Sequence, residues 1–332
     1  MIFPSTSKPS RPQAVPTWPA AAWLLSEPEA QGVSSAEFAT MLEQIESDNP
    51  GIRSVTVVRH GAVILDTRIS PFQGGDRHDI HSCTKSVLSA LVGIAIGRGE
   101  LPGPGTRVLD FFPDYEIAQL NADKRALTLG HLLTMSAGLK TEDSYLYDWA
   151  GLRRMRASPD WARYILDLPI ESEPGTHFEY SNGVSQLIAI ILQEATGQSA
   201  AAYAREHLFG PVGIGDYAWE GSGSDDSWGY SGLSLHPLDM ARLGYLHLRG
   251  GRWDELQVVP ADWVEDSTSP QISAGTLAES YGYQWWVDDD MFMMQGYGGQ
   301  LVYVLPAQDL VVVFTGALPQ RRYFTPRSLL KA

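Results

Sequence analysis

Strand-like sequence sits at both ends of this chain, and helix-like sequence lies between. Near the start, Ser54-Val55-Thr56-Val57-Val58-Arg59 and Ala62-Val63-Ile64-Leu65-Asp66 are rich in β-branched residues, with His60-Gly61 between them as a tight hairpin turn. Near the end, 282–287, 291–294, 300–305 and 310–314 read as four more strands, with turns at 288–290, 296–299 and 306–309. Strands at both ends around a helical middle predict one discontinuous α/β (α+β) unit. Both chain ends share an antiparallel sheet flanked by helices, and the middle forms a helical insertion. The expected division is an N-terminal arm at 1–29, a sheet domain from 30–80 and 233–332, and a mainly helical domain at 81–232. The site is expected between the two domains.

Helix signals fill the rest. Ser34-Ser35-Ala36-Glu37 leads into Phe38, Met41, Leu42 and Ile45, a capped amphipathic helix stopped by Pro50-Gly51. Further helices are expected at 108–113, 128–135, 159–168, 184–196, 201–209, 237–248 and 260–267. Aromatic residues 145–149 and the acidic stretch 221–227 read as loops.

The most informative helix begins near Ile80-His81-Ser82-Cys83-Thr84-Lys85-Ser86 and continues through the apolar run 87–96. That run is too short to span a bilayer and reads as a helix buried on most sides. Ser82 in its first turn would share a face with Lys85, one turn later. A serine hydroxyl needs a base to become a nucleophile, and a lysine buried against apolar walls loses its proton more easily. The helix N-terminus also favours a developing oxyanion above Ser82. The spacing alone leaves two readings open: nucleophile and base, or a capping serine followed by a surface lysine. The pattern Ser-x-x-Lys also occurs at Ser5–Lys8 and Ser328–Lys331, but only the middle copy opens a buried helix.

Composition narrows the partners. The 44% apolar and 19% charged content are those of a soluble globular protein. A net charge of −15 argues against nucleic acid or anionic membrane as a partner. The single cysteine, Cys83, excludes an internal disulfide. Residues 1–11 show no basic segment leading into an apolar core, so a cytoplasmic location is expected. There is no His-Glu-x-x-His, and neither His131 nor His236 has a partner at ligand spacing, so no metal and no cofactor is expected. There is no Gly-x-Ser-x-Gly elbow and no phosphate-binding Gly-x-x-x-x-Gly-Lys.

Three clusters remain: Ser82-Cys83-Thr84-Lys85, Tyr180-Ser181-Asn182 and Gly296-Tyr297-Gly298-Gly299-Gln300. With residues 127–139 and 281–287, their order resembles the serine β-lactamase and penicillin-binding-protein group, in the branch with Tyr-x-Asn as second motif. That branch holds class C β-lactamases, related esterases, D,D-peptidases and 6-aminohexanoate-dimer hydrolases. The resemblance covers roughly residues 30–315 and implies roles. Ser82 is acylated, Lys85 holds or takes its proton, and Tyr180 relays a proton to the leaving group if the lysine charge lowers its pKa. Asn182 orients Lys85 and a substrate carbonyl. The backbone N–H groups of Ser82 and Gln300 form the oxyanion hole, and Gly298 and Gly299 let the strand edge approach the substrate.

The third motif departs from the lactamase form. Tyr297-Gly298-Gly299 stands where Lys-Thr-Gly is expected, so the cation that meets a β-lactam carboxylate is missing. That loss is worth roughly 1.5–3 kcal/mol, unless Arg321 or Arg322 compensates. Cys83 is expected to point about 100° away from Ser82 as buried filler. Tyr145 reads either as an aromatic overhanging the pocket, as in the dimer hydrolases, or as a packing residue. Trp285 and Trp286 alternate faces on a strand, so at most one meets the pocket. The resulting expectation is a serine hydrolase acting through an acyl-enzyme on small carboxylic esters, with amides second. β-Lactamase or D,D-peptidase activity is the alternative among enzymes. A non-catalytic binding protein on the same fold is the rival of another class. Oligomeric state is not readable.

Overall fold

The computed structural model describes residues 18, 22–48, 51–70, 77–143, 149–221, 227–275 and 278–318. The strands are β1 (Leu24–Leu25), β2 (Ile52–Arg59), β3 (Ala62–Arg68), β4 (His78–Asp79), β5 (Ala218–Trp219), β6 (Leu233–Leu235), β7 (Arg252–Trp253), β8 (Leu256–Gln257), β9 (Ile272–Ser273), β10 (Ser280–Tyr281), β11 (Trp286–Val287), β12 (Phe292–Gly296), β13 (Gln300–Leu305) and β14 (Leu310–Gly316). The helices are α1 (Ser35–Asp48), α2 (Thr84–Gly97), α3 (Ala122–Ala126), α4 (Leu129–Leu133), α5 (Ala150–Ala157), α6 (Trp161–Asp167), α7 (Asn182–Thr196), α8 (Ala200–Ala204), α9 (Gly210–Val212), α10 (Pro237–Leu248) and α11 (Ala261–Ser267).

The main sheet has nine strands in the order β1-β3-β2-β14-β13-β12-β11-β10-β9. All pairs are antiparallel except β1 with β3. Its centre joins the two chain ends. β2 runs beside β14 with Val57 opposite Val312, and the Ser54 and Thr315 hydroxyls share a buried hydrogen bond of 2.5 Å. The β2–β3 turn has His60 and Gly61 both at positive φ, as a two-residue hairpin requires. α10 lies on this sheet, and its Gly244 admits Val302 and Val311 where a Cβ would collide with both. The architecture is mixed α/β with a large, mostly antiparallel sheet.

Around α2 gather α7, α8 and α11, while α4 and α6 pack on α7. α2 is buried along almost its whole length. Gln284 staples this layer together. It is buried, and its carbonyl accepts from Ser86 Oγ (2.7 Å). Its side chain accepts from Ser185 Oγ (2.8 Å) and donates to the Leu133 carbonyl (2.9 Å).

Several boundaries differ from the sequence expectation. The stretch 282–287 is not one strand but a bend between β10 and β11. Gly282 lies where a Cβ would be 2.1 Å from the Ser267 carbonyl, and Gln284 has φ +64°. Strict alternation of Trp285 and Trp286 therefore does not decide their roles. Both are buried, Trp285 against His247 and Phe292. α7 starts two residues earlier than expected, at Asn182, because Ser181 caps it by accepting from the Val184 N–H (3.0 Å). The expected helix at 201–209 is α8 followed by a wider π turn over Arg205–Phe209. α5 carries no strong start signal in the sequence and was not expected.

Candidate active site

The chain reaches Ser82 from β4 through a strained step. His81 has φ +48°, a conformation that costs a non-glycine residue energy, and the Asp79 carboxylate holds it by accepting from the His81 N–H at 2.8 Å. Ser82 itself sits in a 3-10 turn, His81–Cys83, that feeds directly into α2, rather than in the α-helix proper. Cys83 is fully buried and directs its thiol to the Gln300 carbonyl (3.2 Å), away from the serine's role. Burial holds that thiol well above its usual range.

Lys85 is 1% exposed. Its Nζ lies 2.8 Å from Asn182 Oδ1, 2.8 Å from the Tyr230 carbonyl and 3.1 Å from Ser82 Oγ. The first two are acceptors only, so they consume two hydrogens of the amine. The third position points at the serine. Burial pushes the lysine down to about 7, with the Asp143 charge opposing.

Tyr180 closes the other side. Its ring stacks beside Trp286 at 5.8 Å, and Lys85 Nζ lies 4.9 Å from its centre. Burial raises its phenol well above the ordinary value, and a hydrogen bond from Ser82 only partly offsets this. The expected lowering by lysine charge is not what acts on this phenol. A lysine near its own titration midpoint at neutral pH is a poor source of positive charge.

Asn182 opens α7 and is buried. Its Oδ1 faces Lys85 while its Nδ2 donates to the Asp143 carbonyl (3.0 Å), which fixes the direction of the amide. Asp143 is 2% exposed, and its Oδ2 accepts from Ser181 Oγ (3.1 Å) and from the Gly183 N–H (2.5 Å). Burial raises its carboxyl, and those donors together with Lys85 pull it back. Sequence reading did not single out Asp143, 39 positions before Asn182, nor the Tyr230 carbonyl, since a backbone oxygen leaves no sequence signal.

The third motif is arranged differently from the expectation. β12 and β13 both lie against the Ser82 turn. The glycine that meets it is Gly296, where a Cβ would stand 2.2 Å from the Ile80 carbonyl. Gly298 and Gly299 instead face the 316–318 segment: Leu318 N–H donates to the Gly298 carbonyl at 2.8 Å, and a Cβ on Gly299 would collide with the Leu318 side chain. Those two glycines shape the hairpin rather than a strand edge over the serine. Gln300 starts β13 opposite Gly296, and its side-chain amide donates to the Gly316 carbonyl (2.6 Å). Tyr297 is 49% exposed at the rim, its ring 5.7 Å from that of His81. Tyr145, Arg321 and Arg322 lie outside the described residues. Among the described residues no group of three or more His, Cys, Asp or Glu is placed to hold a metal ion, and no helix is long and apolar enough to cross a membrane.

Comparison with known proteins bears on the family and the fold. The model of the Beta-lactamase family matches residues 39–326. The 6-aminohexanoate-dimer hydrolase of Paenarthrobacter ureafaciens is 24% identical over 289 residues, covering 79% of this chain and 72% of that protein. Among solved structures, EstCE1, described as a hydrolase with promiscuous acyltransferase activity, superposes with a TM-score of 0.73 at 15% identity, over 89% of this chain and 98% of that one. A D-stereospecific amidohydrolase from Streptomyces sp. gives 0.67 at 14% identity, over 88% and 97%. At those identities the two structures speak for the fold alone.

Proposed function

The chain belongs to the Beta-lactamase family, and from that premise we propose that it is a serine hydrolase acting through an acyl-enzyme on small carboxylic esters, with amides of small acids second. One observation carries the reading. The Lys85 amine is held so that two of its positions are spent on Asn182 Oδ1 and the Tyr230 carbonyl, while the third faces Ser82 Oγ. As an ammonium it donates there; as a neutral amine it presents its lone pair to the serine proton. A lysine near 7 is neutral in about half of the molecules at neutral pH.

The steps follow from those groups. Lys85 takes the Ser82 proton as Oγ attacks the carbonyl carbon. The oxyanion is met by backbone N–H groups, that of Ser82 and one from the 296–300 hairpin lying against it, with Gln300 the sequence-based candidate. Removing one such donor typically costs about 10²–10³ in rate. Tyr180 stays protonated at neutral pH and donates to the departing alkoxide, then refills from the lysine ammonium. Water releases the acyl group by the same path. No lysine stands in Gly296-Tyr297-Gly298-Gly299-Gln300 to meet a β-lactam carboxylate, which favours neutral esters over lactams. Asn182 and Tyr297 are the proposed contacts for the substrate's acyl side.

The test is 4-nitrophenyl butyrate hydrolysis by the wild type and Ser82→Ala, beside a chromogenic cephalosporin. Ester turnover should vanish with Ser82, and the cephalosporin should be turned over slowly. Fast cephalosporin turnover would overturn the ester preference. Ester turnover that survives Ser82→Ala would overturn the serine mechanism.

A further inference from the structure

A cavity of about 800 Å³ lies further along α7, and its lining includes none of Ser82, Lys85, Tyr180 and Asn182. α7 passes from one site to the other. Asn182 belongs to the first, while Gln186, Ala189, Ile190 and Gln193 line the second, at spacings that keep them on one helix face. The rest of the wall comes from the end of α5, the start of α6 and the segment at Ser227-Trp228. Gln186 ties that segment to α7: its amide oxygen accepts from the Gly229 N–H (2.9 Å), and its amide nitrogen donates to the Ser227 carbonyl (3.4 Å).

Two charges of opposite sign in this lining are unspent. The Arg156 guanidinium lies 4.5 Å from the centre of the Trp228 ring and 5.4 Å from that of Tyr230, and its Nε donates to the Tyr230 hydroxyl at 2.8 Å. Its two terminal nitrogens have no hydrogen-bond or ion-pair partner among the described residues. Glu194 has none there either. Both line the cavity, yet they do not pair with each other. The third charged group of the lining, Asp160, is already answered. It accepts from the Arg163 N–H at 2.9 Å and from the Tyr115 hydroxyl at 3.1 Å, with the Arg163 guanidinium 3.9 Å away.

We propose that this cavity is a second ligand site, for a free amino acid with an apolar side chain. A guanidinium laid against an aromatic face and open along its edge takes a carboxylate through two parallel N–H···O bonds. Glu194 takes the ammonium. Trp161, Trp228 and Ile190 supply apolar surface for the side chain. A carboxylate alone would meet the like charge of Glu194, and an amine alone would meet that of Arg156. The volume falls in the range of small-molecule sites, about 300–1,000 Å³. The proposal does not depend on the hydrolase reading. Its one link to the catalytic groups is Tyr230, whose hydroxyl meets Arg156 and whose carbonyl accepts from Lys85 Nζ at 2.8 Å.

The experiment is calorimetric titration of the full chain with L-phenylalanine and its two truncated analogues, 3-phenylpropanoate and 2-phenylethylamine. L-Phenylalanine should bind saturably at millimolar concentration. Each analogue should bind at least about tenfold more weakly, because each leaves one charge-assisted contact unmade. Arg156→Gln and Glu194→Gln should each weaken L-phenylalanine by a similar factor, and Ser82→Ala should bind it as the wild type does. No binding at millimolar concentration would overturn the proposal. An analogue that binds as tightly as L-phenylalanine would overturn the requirement for both charges. Affinity unmoved in either folded cavity variant would place the amino acid elsewhere and overturn the site. Glu194 is exposed, so Glu194→Gln keeps the test open if Arg156→Gln does not fold.

Discussion

Two lysines among the described residues are almost fully buried, and they differ in what their amines meet. Lys85 is 1% exposed and Lys124 is 3% exposed. Lys124 Nζ donates to the Ala118 carbonyl at 2.6 Å and the Leu166 carbonyl at 2.8 Å. Burial lowers Lys124 as it lowers Lys85, with the Asp167 charge opposing, and Leu166 lies in the last turn of α6, where the helix's partial negative charge favours a cation. Lys124 thus clamps the 112–121 loop onto α6. Lys85 has two carbonyl-type acceptors as well, yet its third contact is a hydroxyl that gains from losing a proton. Burial alone does not make a base. What separates the two is whether the last partner prefers the ammonium or the amine.

The sharpest way to break this contrast is to remove each amine. Lys85→Ala should lower kcat/KM by at least about 10³-fold while far-UV circular dichroism stays that of the wild type. Lys124→Ala should leave kcat/KM of the folded enzyme unchanged. Equal losses in the two variants would mean that Lys85 is structural too. Next in size, Tyr180→Phe keeps the ring against Trp286 and removes only the phenol, and should cost about 10² in kcat. An unchanged rate would give the leaving-group proton to Lys85 alone.

Stability should reverse the ranking. Lys124→Met leaves the Ala118 and Leu166 carbonyls unpaired and should lower the unfolding free energy by about 1–3 kcal/mol, read as a lower urea midpoint at unchanged slope. The smallest effect is on the pH profile. The wild-type kcat/KM should rise with pH through about 7, because neutral lysine is the active form. Lys124→Met should leave that limb in place, which separates a general electrostatic disturbance from the specific site.

Much of this was legible in the residues themselves. β-Branched runs and the His60-Gly61 turn gave the central hairpin, since two positive-φ residues in succession have few other uses. Ser82 and Lys85 were legible because one helical turn places them together, and Asn182 because a tyrosine stands two positions before it. Asp143 was not, because a loop carboxylate reaches α7 only through the tertiary path of the chain. The break at Gly282 was equally hidden. A tryptophan-rich stretch of strand-formers is kept from pairing by the Ser267 carbonyl, a neighbour distant in sequence. The glycines of the third motif were visible, but which of them meets Ile80 depended on where the hairpin turned.

The pairing of β2 with β14 sets a timetable for this protein. Residues 52–59 wait on the ribosome until 310–316 have been made, and the hairpin that faces Ser82 is itself among the later residues. A partly synthesised copy therefore has its serine and lysine but no wall opposite them. Contacts that span most of the chain also close slowly, because the loop entropy comes before the reward. Catalytic competence should appear late and all at once in a refolding experiment, together with the burial of the central strands rather than with the earlier formation of helices.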